Sequence, residues 1–388
     1  MRTAIVGGGL LVIGLAAIVV GIEPVSAALA IGDRTWPILL FVAAITVVAQ
    51  LAAEAGVFDA LAHAAGRAGH GRAWALWLLA VVVATLCTIF LSIDTTAVLL
   101  TPVMVVLARH VGLSPLPFAL TTVWLANTGS LLLPVSNLTN LLALHVLGDP
   151  TPAAFAALTW VPAVIGILLP AVAVFVIHRR RLLVRYEAET VEPADDPVLF
   201  RWAVIVLVVL VPLLVTGVPV WLPATAAAIV LCVVFALRRR SALGMRLVPW
   251  QLLLFAAGLF LVVDAAHGLG LGRVLAVASG SGSEPLSLLR LAATGAVGAN
   301  GVNNLPAYLA LEPSADSPAR VVALLIGVNL GPLITPWASL ATLLWHQRLR
   351  SMGVAISWGR YVLLGLVVAP ITVIAATLAL AWLTPRLH

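Results

Sequence analysis

Two segments of the chain place amide and hydroxyl side chains among glycines and prolines within otherwise apolar sequence. They are residues 127–140 and 329–345. Glycine and proline interrupt helices, and a helix that restarts after an interruption offers backbone N–H groups to a solute. Interhelical hydrogen bonding is the alternative role for such side chains. The substrate-binding candidates in these segments are Asn127, Ser136, Asn137, Thr139, Asn140, Asn329, Thr335 and Ser339.

A third polar segment, 300–306, carries two adjacent amides before a proline. Asn303 and Asn304 precede Leu305 and Pro306, a pattern typical of the tip of a re-entrant hairpin. Packing between helices is the weaker alternative for these two side chains. We therefore add Asn303 and Asn304 to the substrate-binding candidates.

Asp94 is an acid that lies within 91–97 and has long apolar stretches on both sides. Ionisable side chains within a membrane are functional by default, and removal from water favours the neutral form that can carry a proton. A hairpin tip in water or a helix cap is the alternative. We expect Asp94 to couple transport to an ion.

The chain carries no recognised catalytic or nucleotide-binding motif. It has no H-E-x-x-H, G-x-S-x-G or G-x-x-x-x-G-K-[ST] sequence, and Asp94 with Asp264 is the one acid pair that an intramembrane hydrolase could use. The cysteines Cys87 and Cys232 both lie in apolar runs, which does not indicate a metal site. We expect a protein that is not an enzyme, needs no cofactor, and draws its energy from a proton or sodium gradient.

The composition excludes a water-soluble domain. Of 388 residues, 62% are hydrophobic and 9% charged, whereas a soluble domain has about 25% charged residues. The net charge of +6 comes from arginines in short clusters between apolar spans. That pattern fixes orientation in a membrane rather than following a nucleic-acid backbone, so no nucleic-acid partner is expected. The predicted fold is an all-α polytopic protein of about 10–12 transmembrane segments.

The arginine clusters also predict orientation. Clusters near Arg67, Arg180, Arg239 and Arg348 indicate cytoplasmic loops, whereas the arginine-free loop at Asp149 is expected outside. We interpret the apolar run 3–22 as a first transmembrane helix with a cytoplasmic N-terminus, since it is long for a signal peptide. Trp250 and Trp345 are expected to anchor spans at the cytoplasmic border.

Loop parity makes residues 74–147 and 286–345 cross the membrane in opposite directions. Paired interrupted segments in opposed halves are the sequence signature of inverted repeats with a solute site at their interface. The predicted halves are 1–177, with its broken helix at 127–140, and 202–388, with a hairpin at 300–306 and a broken helix at 329–345. A flexible cytoplasmic linker at 178–201 joins them and carries the acids Glu187, Glu189, Glu192, Asp195 and Asp196.

These motifs resemble the arsenite/antimonite permease family. The family is part of an ion transporter superfamily that also contains sodium/proton antiporters and citrate and dicarboxylate carriers. The resemblance covers 54–361, and its most specific matches are Thr335-Pro336 followed by Ser339-Leu340-Ala341-Thr342-Leu343-Leu344-Trp345, Ser136-Asn137-Leu138 with Asn140, and Asn303-Asn304-Leu305-Pro306. Asn127 and Asn329 depart from the family, which has aspartate at both positions.

The resemblance implies proton-coupled export of neutral trihydroxy arsenic or antimony across the plasma membrane. The absence of arginine from both interrupted segments fits a neutral polyhydroxy solute. The rival is a sodium- or proton-coupled carrier of an organic or inorganic anion, or a sodium/proton antiporter, of the same superfamily. The expected partners are the lipid bilayer and a small inorganic solute or anion. The resemblance allows a separate ATPase subunit, and a homodimer is compatible with the sequence.

Overall fold

A computed structural model describes residues 2–21, 24–186 and 196–383. Within these ranges the regular structure is helical and forms no β-sheet. Six described helices are long and apolar enough to span a membrane, judged by length and composition. They are Val25–Glu54, Ala73–Phe90, Pro152–Leu182, Trp221–Arg238, Trp250–Gly268 and Trp358–Leu383. The predicted all-α polytopic fold is confirmed.

The described α-helices are numbered in chain order. They are α1 (Arg2–Val19), α2 (Val25–Glu54), α3 (Val57–Ala68), α4 (Ala73–Phe90), α5 (Thr101–His110), α6 (Pro115–Thr128), α7 (Leu138–Val146), α8 (Pro152–Leu182), α9 (Pro197–Leu213), α10 (Trp221–Arg238), α11 (Trp250–Gly268), α12 (Leu271–Ser279), α13 (Pro285–Gly301), α14 (Asn304–Leu311), α15 (Pro318–Leu330), α16 (Leu340–Ser351) and α17 (Trp358–Leu383). A π-helical segment at Thr95–Leu100 leads directly into α5.

One end of the helix bundle, here called the arginine face, gathers the loops that carry arginine clusters. Arg181 donates from Nη1 to Ser114 Oγ at 3.0 Å, and Arg239 pairs with Glu54 at 3.2 Å. At the other end, the opposite face, Arg320 donates to the carbonyls of Gly280, Gly282 and Ser314. Helix α8 runs from one face to the other.

Two helical hairpins enter the bundle from different faces. Helix α3 at the arginine face packs against both α4 and α5, so the hairpin that these two form has both ends there. The bonds of Arg320 hold both ends of the α13–α14 hairpin at the opposite face. Each hairpin turns back within the bundle, at 91–94 and at 302–303.

The same order of elements occurs twice, in opposite directions. A long helix, a short amphipathic helix, a hairpin, a broken helix and a second long helix make up α2–α8, and again α11–α17. The first series begins at the opposite face and the second at the arginine face. This is the inverted repeat that the sequence predicts.

Helix α1 lies parallel to α11, outside both hairpins. Gly7 packs on the backbone at Phe255, and Gly14, about two helical turns later, packs on Leu261. Because the two helices run side by side in the same direction, the N-terminal end of α1 lies at the arginine face, with Arg246. Assignment of that face to the cytoplasm stays a prediction.

The predicted bounds of the linker, 178–201, are wrong. Helix α8 continues to Leu182 and α9 begins at Pro197, so the segment between them is shorter. Asp196 caps α9 by accepting from the backbone N–H of Val198, and the Arg238 guanidinium beside it lowers the pKa of this carboxyl. The acids Glu187, Glu189, Glu192 and Asp195 lie outside the described residues.

Each repeat closes with a long helix whose glycine touches the broken helix. A Cβ added at Gly166 of α8 would lie 2.7 Å from the Thr128 carbonyl oxygen, and one at Gly365 of α17 would overlap the Leu333 carbonyl oxygen. Only glycine lets the helix backbone approach these interrupted segments so closely.

We therefore expect Gly365→Ala to lower the thermal unfolding temperature in detergent by several degrees, since overpacking of this kind costs about 1–3 kcal/mol. Gly359→Ala on the same helix is the matched control, because no atom lies within 4 Å of its added Cβ. Equal unfolding temperatures for the two variants would contradict this account of the contact.

Candidate transport site

The first broken helix is interrupted between α6 and α7. Short 3₁₀ turns occupy Gly129–Leu131 and Pro134–Ser136, and α7 restarts with Asn137 as its cap. Backbone groups freed within a membrane need partners in the protein. Asn140 supplies them by donating from Nδ2 to the carbonyls of Ser130 at 2.7 Å and Leu133 at 3.0 Å. Asn140 therefore stabilises the interruption.

The second broken helix is interrupted at 331–339, and Asn300 of α13 holds it. Asn300 Oδ1 accepts from the backbone N–H of Ile334 and Thr335, while Nδ2 donates to the Gly331 carbonyl at 2.8 Å. The Thr335 hydroxyl donates to the Asn300 carbonyl at 2.7 Å. Sequence reasoning missed Asn300 as a site residue, although it begins the predicted hairpin segment.

The two broken helices meet through Asn329. Its Oδ1 accepts from Asn137 Nδ2 and from the Thr139 hydroxyl, both at 2.8 Å. Its Nδ2 donates to Asn140 Oδ1 at 2.7 Å. All four side chains are buried. These predicted binding residues therefore join the two repeats through hydrogen bonds to one another.

Asn127 holds the corresponding place in the first repeat, at the end of α6, but its bonding is incomplete. Its Nδ2 donates to the Val123 carbonyl at 3.0 Å and lies 3.5 Å from the Thr342 hydroxyl. Its Oδ1 is buried without a hydrogen-bond partner among the described residues.

Trp345 was predicted to anchor a span at the membrane border. It is fully buried instead and donates to the Ala119 carbonyl at 2.9 Å, so that prediction is wrong.

Both hairpin tips carry a non-glycine residue in the left-handed region. Ser92 has φ 132° and Asn303 has φ 141°. Such conformations persist where surrounding contacts enforce them, and they concentrate at functional sites. At the second tip the enforcing contacts are visible, because Asn303 Nδ2 donates to the Trp337 carbonyl at 2.9 Å and the Asn304 N–H donates to Ala338.

A central cavity of about 80 Å³ lies where the two tips and the two interruptions converge. That volume is enough for a solute the size of several water molecules. The predicted site residues that line it are Asp94, Ser136, Asn137, Asn303, Asn304 and Ser339. The remaining candidates, Asn127, Thr139, Asn140, Asn329 and Thr335, do not line it.

The lining offers neutral hydrogen-bonding groups and one charge. Among the described residues, Asp94 is the only ionisable side chain that lines the central cavity, and its carboxylate makes no hydrogen bond or ion pair with any of them. Helices α7, α14 and α16 all begin at the cavity. Ser339, the N-cap of α16, makes no side-chain capping bond, so its hydroxyl and the first N–H groups of α16 are open to a solute.

Two vestibules approach the central cavity from the two faces. The arginine-face vestibule, of about 400 Å³, shares Thr46, Asp94, Leu252 and Leu340 with the cavity lining. The opposite-face vestibule, of about 960 Å³, shares Leu141 alone. The cavity is therefore more open toward the arginine face.

Comparisons with known proteins agree with this arrangement. The citrate transporter family model matches residues 3–342. An arsenical pump membrane protein of Yersinia enterocolitica is 30% identical over 370 residues, covering 87% of this chain and 83% of that protein. One of Escherichia coli strain K12 is 31% identical over 369 residues, with the same coverage.

A solved structure shares the fold. The YdaH transporter of Alcanivorax borkumensis, described as having an unusual topology, superposes with a TM-score of 0.60 at 17% identity. The alignment covers 93% of this chain and 88% of that one. Inverted hairpins and broken helices, the family match and the arsenical pump relatives lead to one conclusion: the chain belongs to the citrate transporter family, together with the arsenical pump membrane proteins.

Proposed function

We propose that this membrane transporter is a secondary carrier that exports arsenite and antimonite across the plasma membrane in exchange for protons. The observation that carries the proposal is the central cavity, where neutral hydrogen-bonding groups from both repeats surround a single carboxyl group. The arsenical pump relatives support the choice of solute.

A neutral trihydroxy solute suits this lining. Each hydroxyl group donates one hydrogen bond and accepts others. Amide and hydroxyl groups of Asn137, Asn304 and Ser339, with the first N–H groups of α16, offer both kinds of partner. No arginine or histidine is among the described residues that line the cavity, whereas a polycarboxylate calls for a cation.

Asp94 is the proposed proton carrier. A neutral solute responds to no membrane potential, so the energy for its export must enter through another group that binds an ion. Asp94 lines both the central cavity and the arginine-face vestibule, which gives it contact with the solute site and a route to water. Each pH unit across the membrane supplies about 1.4 kcal/mol per proton carried.

Orientation follows from the same arginine clusters. We propose that the arginine face is cytoplasmic, which places the N-terminus of α1 inside and opens the cavity toward the cytoplasm in this conformation. Export then begins with solute entry through the arginine-face vestibule. Association with a separate ATPase subunit and formation of a homodimer remain predictions from the sequence.

The second candidate is sodium- or proton-coupled transport of an anion such as citrate, as the family description suggests. The helix N-termini at the cavity favour negative charge, since each carries roughly half a positive charge. An ionised Asp94 carboxylate, by contrast, disfavours a second negative charge in the cavity. Transport of citrate that requires sodium, with no arsenite transport, would decide for this candidate.

The first test uses everted vesicles with a proton gradient and external arsenite. Wild-type protein is expected to accumulate arsenite, and Asp94→Asn to reduce gradient-driven accumulation at least about tenfold because an amide cannot carry the proton. The measurement is arsenic content against time, with and without an uncoupler.

Asp264→Asn is the matched control, since Asp264 lines the opposite-face vestibule rather than the central cavity. It is expected to transport as wild type does. Accumulation that survives in Asp94→Asn would overturn the role of this carboxyl group. Absence of accumulation in wild type would instead reject arsenite as the solute.

A second prediction separates solute contact from support of the fold. Ser339→Ala should raise the half-saturating arsenite concentration about three- to tenfold, because one hydrogen bond to the solute is lost. The unfolding temperature should change little. Thr335→Val should chiefly lower the unfolding temperature, because its hydroxyl bonds to Asn300. Transport titrations and thermal unfolding of both variants test this division, and the reverse pattern would contradict it.

A further inference from the structure

An ion pair joins distant parts of the two repeats at the opposite face. Arg34 of α2 and Glu312, in the turn after α14, form two parallel bonds, of which the one from Nη1 to Oε2 measures 3.1 Å. Arg34 Nη2 also donates to the Leu142 carbonyl of α7 at 3.2 Å. The Tyr308 hydroxyl donates to Glu312 Oε1 at 3.1 Å. One guanidinium therefore connects α2, α7 and the end of α14.

The ion pair lies beside the opposite-face vestibule, about one turn of α2 farther from the central cavity than Ile38, which also lines that vestibule. Arg34 lines that vestibule. Helices α7 and α14, which it joins, both begin at the central cavity and run from there toward the opposite face. Their separation would widen the way past Leu141, the single residue that lines both spaces.

Helix α2 is built to bend just beyond Arg34. Pro37 lies inside α2, has no N–H to donate, and leaves the carbonyl of Asp33 without its helical bond. The short arm before Pro37 rests on α10 through Trp36, whose ring centroid is 5.3 Å from that of Trp221. The missing helical bond at Pro37 lowers the resistance of α2 to bending at this point, and the arm before it is attached to α10.

We propose that the Arg34–Glu312 pair keeps a gate at Leu141, between the central cavity and the opposite face, closed by holding α7 and the end of α14 together. It forms while the cavity is open to the arginine face and separates when the cavity opens the other way. The side chains keep 28% and 15% exposure, so water can solvate both charges once they part. The inference rests on the proposed function only in taking the central cavity as the transport site.

The test measures access to the cavity and needs no solute. In a background with Cys87→Ala and Cys232→Ala, Leu141→Cys is labelled with a membrane-impermeant maleimide applied from the opposite face. Glu312→Gln and Arg34→Gln are each expected to raise the labelling rate, by about tenfold if the bidentate pair holds the gate shut. An unchanged rate in both variants would overturn the gate.

Two further variants exclude general loosening of the fold. Ala30→Cys, exposed in the same vestibule, should label equally fast with and without the gate substitutions. The exchange Arg34→Glu with Glu312→Arg should return Leu141→Cys labelling toward its starting rate, because the opposite charges face each other again. Faster labelling at Ala30→Cys, or no recovery in the exchanged pair, would assign the bonds to folding alone.

Folding of the single variants is checked by yield and unfolding temperature. If Arg34→Gln does not fold, Arg34→Lys keeps the charge and loses the paired geometry, and it should label at an intermediate rate. A rate equal to that of the parent would count against the bidentate gate. Failure of arsenite transport leaves this result unaffected, so the two proposals can fail separately.

Discussion

The structure depends on how backbone groups are paired where helices are broken inside the membrane. Lipid offers no hydrogen bonds, so every N–H and C=O released by an interruption needs a partner from the protein. Asn140 satisfies two carbonyls at the first interruption, and Asn300 satisfies two N–H groups and one carbonyl at the second. These two amides hold in place the interrupted segments that lead into α7 and α16, whose N-termini meet the cavity.

The two repeats share an architecture but use it unequally. Asn329 is bonded at both ends of its amide by α7, so the second broken helix is joined to the first. Asn127, at the equivalent place, leaves its Oδ1 without a partner among the described residues. The buried amides therefore make one continuous support across the repeats. The groups left to face a solute are those of the hairpin tips and the first turns of the restarted helices.

The sequence predicted the interruptions and the second hairpin, because glycine and proline mark them without any knowledge of packing. It also singled out Asp94, an isolated charge that the structure places at the central cavity, and its coupling role stays a prediction. It could not predict which amides face the cavity. Asn137 and Asn140 lie about one helical turn apart, and only packing shows that Asn137 reaches the cavity. Asn140 instead bonds to two backbone carbonyls and to the Asn329 side chain. Trp345 was mispredicted for the same reason. A tryptophan at the end of an apolar run is typical of a membrane border, and only the packing of α16 against α6 shows that it is buried. The Arg34–Glu312 pair, separated by 278 residues, has no local signal.

The charge balance of the cavity explains how one carboxyl group can link proton and solute under the proposed mechanism. Three helix N-termini, each worth roughly half a positive charge, face one carboxylate. With Asp94 ionised, only about half a positive charge remains at the site, and the carboxylate offers a strong acceptor for the hydroxyl groups of a solute. Protonation of Asp94 removes that acceptor, so binding of a proton weakens binding of the solute. Solute and proton then favour opposite states of the same side chain, which is the condition for exchange rather than co-transport.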